Sequence, residues 1–284
     1  MCSSDLGGEA MEQGGDAGRG KFIFDAGGCA SCHMTPGQDD RTKLGGGLEL
    51  KSPFGSFFAP NISPHPVDGI GRWKVADLIN AMQAGVSPSG EHYFPAFPYT
   101  TYAHARAEDI RDLMFYLRTL PQVSGKAKPH TIGFPFNVRR SLGIWKLVNL
   151  DRSQIVDDAS KPADWNRGRY LVEALGHCAE CHSSRDFMGG VIERYRYAGG
   201  REMGDDNGWV PNITQAKGGI ASWSLKDISY MLKEGDTPDG DSVGGDMKKV
   251  VKNMAELPDA DRDAIAVYVK SLPARESPPK PAKK

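Results

Sequence analysis

Cys29-Ala30-Ser31-Cys32-His33 and Cys178-Ala179-Glu180-Cys181-His182 are two copies of one pattern, C-x-x-C-H, set about 150 residues apart in a chain of 284. Together they use four of the five cysteines and leave Cys2 outside whatever chemistry they share. The pattern reads as an attachment site for a c-type haem. Two thiols at this spacing can form thioethers with the haem vinyl groups, and the adjacent histidine then lies under the iron. Competing readings fit less well. A redox C-x-x-C pair expects a βαβ pattern nearby, which is absent. A zinc site needs four ligands, and Cys-Cys-His supplies three. Chance gives such a pattern roughly 0.002 times in a chain of this composition, before a second copy is asked for.

Working outward, the stretches around the two motifs match one another. Arg19-Gly20 answers to Arg167-Gly168, Pro60-Asn61-Ile62-Ser63 to Pro211-Asn212-Ile213-Thr214, and Gly69-Ile70, Trp73 and Asp77 to Gly219-Ile220, Trp223 and Asp227. Gly85, Pro88 and Gly90 match Gly235, Pro238 and Gly240, and Tyr116 and Pro121 match Tyr268 and Pro273. A register held this long implies a duplicated domain, with copies over 17–121 and 165–273. Helical spacing of apolar residues recurs at Val75, Leu78, Ile79 and Met82, at Ile110, Leu113, Met114 and Leu117, and at Ile265, Tyr268, Val269 and Leu272. Strand alternation is not evident, so the expected fold is all-α: two tandem helical domains with long loops, each wrapped around one haem. A large apolar ring bonded to the chain supplies the core that a domain of about 100 residues otherwise lacks. Residues 122–164, apolar from Phe134 to Trp145, read as an ordered connector packed across the two domains.

Composition bounds the function. Thirty-five basic residues against 36 acidic give a net charge of −1, and nothing in that balance suggests nucleic acid or an anionic membrane as the main partner. Hydrophobic residues at 39% suffice for a core, yet no apolar run approaches a membrane span. Residues 1–16 read as a disordered or truncated start without a visible signal peptide, and 274–284 as a disordered Pro/Lys-rich tail. Cys2, in that start, reads as a stray cysteine and not as a lipid anchor. Haem attachment itself implies the oxidising side of the membrane.

With both motifs in place, further stretches carry a resemblance. They are Leu44-Gly45-Gly46-Gly47, Pro53-Phe54-Gly55, Gly69-Ile70-Gly71-Arg72-Trp73 and Phe94-Pro95-Ala96-Phe97-Pro98-Tyr99 in the first half. Asn166-Arg167-Gly168, Gly176-His177-Cys178 and Gly244-Gly245-Asp246-Met247 carry it in the second. The chain resembles the dihaem class I cytochromes c related to the cytochrome subunits of bacterial membrane-bound sugar and alcohol dehydrogenases of the gluconate type. The resemblance implies class I cytochrome c folds, two covalent haems c, periplasmic maturation and electron transfer. Its redox partners would be a dehydrogenase donor and a cytochrome or oxidase acceptor.

Cys29, Cys32, Cys178 and Cys181 are then the covalent anchors, and His33 and His182 the proximal ligands. Met247, set among glycines and an aspartate where it has few apolar neighbours, is the expected sixth ligand of the second haem. The matching position in the first half is Phe97, which cannot bind iron. His92 best reproduces the spacing to the last helix, with His104, Met82 and an open iron as alternatives. Arg185 follows the second motif closely enough to neutralise a haem propionate, an exposed surface arginine being the alternative. An electron carrier between a dehydrogenase and a downstream cytochrome or oxidase is the leading expectation. The alternative is a dihaem enzyme, a peroxidase or a thiosulfate-dehydrogenase-like protein, with the first haem as its catalytic centre.

Overall fold

The computed structural model describes residues 11–205 and 208–280, and the chain separates into two units, Met1–Gln154 and Ile155–Lys284. Cys2 lies outside the described residues. The first unit runs α1 (Ala17–Ala26), α2 (Cys29–His33), β1 (Glu49–Ser52), β2 (Gly55–Phe58), α3 (Val75–Ala84), α4 (Tyr99–Tyr102), α5 (Ala107–Leu117), β3 (Thr131–Ile132) and α6 (Ser141–Asn149). The second runs α7 (Ala163–Tyr170), which continues into a π-helical turn (Leu171–Leu175), then α8 (Cys178–Cys181) and a 3₁₀ turn (Glu193–Tyr195). It ends with β4 (Gly200–Arg201), β5 (Trp209–Val210), α9 (Leu225–Glu234), α10 (Met247–Met254) and α11 (Asp259–Lys270).

The first helix of each unit crosses the last long one at a glycine. A side chain on Gly20 would overlap the Asp112 carbonyl of α5 and come within 2.7 Å of Tyr116 Cβ. On Gly168 it would overlap the Ala264 carbonyl of α11 and come within 2.9 Å of Tyr268 Cβ. An arginine one residue earlier locks each crossing: Arg19 Nε donates to Asp112 at 2.7 Å, and Arg167 Nε to Asp261 at 2.7 Å. The apolar stripes read from the sequence face these crossings. Ile110, Leu113, Met114 and Leu117 are buried in the first unit, and Ile265, Tyr268, Val269 and Leu272 in the second. Helices α3 and α9 each begin with an aspartate in the first turn bonded back to the N-cap N–H, Asp77 to Lys74 and Asp227 to Ser224. Each ends on a left-handed glycine, Gly85 (φ 60°) or Gly235 (φ 86°).

The expectation of an all-α chain needs correction, because short strands are present. β1 and β2 form an antiparallel hairpin with Leu50 opposite Phe57, and β3 joins through Gly55–Ile132 and Ser56–Thr131. The strands escape periodicity because they are short, and because the third partner comes from far along the chain. β4 and β5 pair over two residues only. Among the described residues no helix is long and apolar enough to cross a membrane.

The ends are also more tied than composition suggested. Glu12 accepts hydrogen bonds from the Val75 N–H at 2.5 Å and from Arg118, while Asp16 caps α1 through the N–H groups of Gly18 and Arg19. Beyond α11, the backbone of Arg275 and the hydroxyl of Ser277 bond to Asn212 and Thr214, so order runs into the stretch expected to be a loose tail. Residues 131–149 of the connector pack within the first unit, where Leu142 joins Phe57 and Phe94 in a small apolar cluster.

Candidate haem-binding sites

Each C-x-x-C-H sequence forms a short helix entered from a left-handed residue. Gly28 (φ 65°) precedes α2, and His177 (φ 42°) precedes α8. That entry turns the chain sharply out of the preceding helix and lays the two cysteines one turn apart. The cysteines carry no disulfide. Burial, followed by the charge of a nearby carboxylate (Asp25 for one, Glu173 for the other), pushes the thiols of Cys29 and Cys178 up to about 12. Redox-active cysteines show the opposite shift, toward the thiolate. No three His, Cys, Asp or Glu side chains among the described residues converge where a metal ion could sit.

The histidines are oriented alike. His33 Nδ1 lies 2.8 Å from the Pro60 carbonyl, and His182 Nδ1 lies 2.8 Å from the Pro211 carbonyl. A carbonyl only accepts, so the proton sits on Nδ1 and the lone pair on Nε2, the tautomer an axial imidazole requires. Burial holds both pKa values below the ordinary histidine range, partly offset by those carbonyl bonds, which keeps the rings neutral. The histidine carbonyls are fixed too, accepting from the N–H of Gly46 at 2.8 Å and of Gly199 at 2.9 Å.

The Pro-Asn-Ile stretches, noticed in the sequence as a matched pair, are what hold those prolines. Asn61 Nδ2 donates to the carbonyls of Val123 and Gly125, and Asn212 Nδ2 to the Arg275 carbonyl and the Ser277 hydroxyl. Each asparagine Oδ1 accepts from the N–H two residues on, that of Ser63 or Thr214. These orienting roles were not legible from sequence; recurrence at matched positions was the available signal.

The remaining site expectations fare unevenly. Met247 opens α10 directly after the Gly244-Gly245-Asp246 turn and is half-buried. Phe97 sits among aromatic rings, 5.8 Å from Tyr102, whose hydroxyl donates to the Gly27 carbonyl just before the first motif. Met82 is core, and His104 Nδ1 donates to the Ser153 carbonyl at 2.6 Å, which leaves the lone pair on its Nε2.

His92 is turned to another task. Its Nδ1 meets Lys146 Nζ at 3.0 Å, and a methyl on Gly143 would stand 3.2 Å from its Nε2, so both ring nitrogens face α6. Spacing alone pointed His92 at the iron; the lysine that claims it comes 54 residues later. Arg185 is likewise engaged. It forms an ion pair with Glu180 and donates to the carbonyls of Glu180 and Gly189, stapling the loop behind the second motif. Only its buried Nε has no protein partner.

Lys146 gives a test of this arrangement. Its ammonium donates to the carbonyls of Ala84 and Gly85 at the end of α3, and burial lowers its pKa from 10.5 to about 8. Between those two values the unfolded chain binds a proton that the folded chain does not, so the lysine's contribution makes stability rise with pH across that window. Denaturant titrations should show this rise in wild type relative to Lys146→Met. Identical pH profiles for the two proteins would contradict it.

Comparison with known proteins agrees with the geometry. Residues 17–121 match the family model described as cytochrome c. A diheme cytochrome c-type protein of Cereibacter sphaeroides is 49% identical over 264 residues, covering 92% of this chain and 88% of that protein. The fructose dehydrogenase cytochrome subunit of Gluconobacter japonicus is 37% identical, covering 90% of this chain but 52% of its own length. The cytochrome c subunit of the quinone alcohol dehydrogenase of Gluconobacter oxydans is 32% identical, with 90% and 54% covered. The chain thus spans about half the length of those two subunits. Taken with the two C-x-x-C-H helices and their carbonyl-bound histidines, these likenesses make the chain a member of the diheme c-type cytochrome family, electron-transfer proteins that bind haem c covalently.

Proposed function

We propose that the chain carries two haems c in tandem copies of one cytochrome domain, 17–121 and 165–273, joined by the connector 122–164, and works in the periplasm. Cys29 and Cys32 anchor the first haem and Cys178 and Cys181 the second, with His33 and His182 beneath the irons. Electrons pass from a dehydrogenase through the two haems to a cytochrome or oxidase. The observation that carries this reading is the matched pair of Nδ1–carbonyl bonds, which leaves Nε2 of each motif histidine free for iron. Bound haem supplies the one-electron chemistry; the chain holds it, fixes the imidazole and excludes water.

Met247 is the sixth ligand of the second haem, supported by its place after a glycine turn. A thioether raises the potential relative to a second imidazole. Met247→Ala is expected to remove the weak far-red sulfur-to-iron absorption band and to lower one of two midpoints in a redox titration followed by EPR. A band that survives the substitution refutes the assignment.

The engagement of His92 with α6 and the presence of Phe97 favour a second reading for the first haem, an open iron with small-molecule chemistry. A high-spin ferric signal with cyanide binding and peroxide or thiosulfate turnover would support it. A wholly low-spin spectrum inert to cyanide would exclude it.

A further inference from the structure

Five positions before the first motif cysteine, one unit has Phe24 and the other Glu173. Phe24 is 2% exposed and stands edge-on to Tyr116 with centroids 5.3 Å apart, an ordinary apolar seam between the first and last helices. In the second unit the corresponding seam is ionic. Glu173 accepts from the Tyr268 hydroxyl at 2.7 Å and from Arg196 Nη2 at 2.5 Å, with its side chain 15% exposed.

The backbone is built around this exchange. Gly20 to Cys29 is nine positions and Gly168 to Cys178 is ten, and the π-helical turn Leu171–Leu175, which contains Glu173, takes up the extra residue. Such turns concentrate at functional positions. A cavity of about 190 Å³ lies against the carboxylate, lined also by Arg196, Tyr197, Thr214, Tyr268 and Arg275. Burial alone would raise the carboxyl's pKa; the Arg196 charge and the hydrogen bonds from Tyr268 and Arg196 outweigh it, so Glu173 stays ionised at neutral pH. Its charge reaches the motif, where it adds to the effect of burial on Cys178.

We propose that the half-buried pair of Glu173 and Arg196 sets the reduction potential of the second haem, as two opposed charges fixed beside its attachment site. This rests on the reading that Cys178, Cys181 and His182 hold that haem. The ferric form carries one more positive charge than the ferrous form. A carboxylate therefore favours ferric haem and lowers the potential, and a guanidinium does the reverse. Replacing an ion pair out of full solvent by a packed apolar contact such as Phe–Tyr is often neutral or stabilising, so stability alone does not account for the pair.

The test is a spectroelectrochemical titration of the full-length holoprotein as wild type, Glu173→Gln, Arg196→Gln, Arg196→Lys and Tyr268→Phe, with haem content checked by mass spectrometry. Glu173→Gln should raise one of the two midpoints, enough to change the ferrous-to-ferric ratio severalfold at the wild-type midpoint. Arg196→Gln should lower the same midpoint. Arg196→Lys and Tyr268→Phe, which preserve the charges, should leave it close to wild type, and the other midpoint should stay fixed throughout. Shifts of the same sign in Glu173→Gln and Arg196→Gln would overturn the proposal, since merely opening the haem crevice to water moves both one way. So would no shift at all. A wild-type protein without haem on Cys178 and Cys181 would overturn the underlying reading, an outcome the mass spectrum separates from the others.

Discussion

A protein with Cys178→Ser and Cys181→Ser is expected to carry one haem fewer than the wild type, and to lose the fold of its second unit. That unit has little else to stand on. Its sheet is two residues per strand, its motif helix is four residues long, and the segments between α8 and α9 are mostly irregular. Its buried apolar residues cluster at the α7–α11 crossing and the adjoining faces of α9 and α10. A domain of this size is stable by about 5–15 kcal/mol in all. Removing a large apolar ring that fills the centre costs on the order of that total. Mass spectrometry should find one haem, and limited proteolysis should digest the chain from about Ile155 onward while the first unit keeps its visible spectrum. A variant with one haem and a protease-resistant second unit would show that the haem is not what completes the core.

Gly168→Ala should destabilise the second unit by about 3 kcal/mol or more, and Gly20→Ala the first by a similar amount. In each case the new methyl meets backbone, a carbonyl oxygen in the facing helix, and backbone cannot rotate away. The helices must separate, which pulls apart the arginine–aspartate pairs and the aromatic contacts beside the crossing. Gly218→Ala is the control. A Cβ there meets nothing within 4 Å and no left-handed backbone is required, so its effect should stay within about 0.5 kcal/mol. Denaturant unfolding of the three variants gives the comparison. A Gly168→Ala protein as stable as Gly218→Ala would mean that the crossing is looser than described.

The motifs and long helices were legible because their information is local: cysteines two residues apart, apolar stripes within a few turns, glycine stops. What was hidden depended on partners distant in sequence. The glycines at the crossings stood out as a matched pair, but the carbonyls they face lie more than ninety positions away. His92 looked available because nothing near it in sequence claims it. Lys146, on a helix the sequence assigned to a connector, does. Arg185 looked free for a propionate until Glu180, five residues back, took it. The β1–β2 hairpin stayed hidden because Glu49 and Lys51 are solvent-facing and the strand is too short to establish alternation.

The asparagine clasps have a consequence for how the protein is made. The carbonyl that aims His182 belongs to Pro211, and Asn212 beside it is held by residues beyond the last helix, 63 positions further on. In the first unit the corresponding distance, from Asn61 to Val123, is 62. As the chain folds, neither histidine can be clamped until residues more than sixty positions beyond its asparagine are in place. Both cysteine pairs therefore remain on a pliant stretch of chain through that interval, when a bulky ring can be fitted with least steric resistance. The last residues to arrive close the seat behind it.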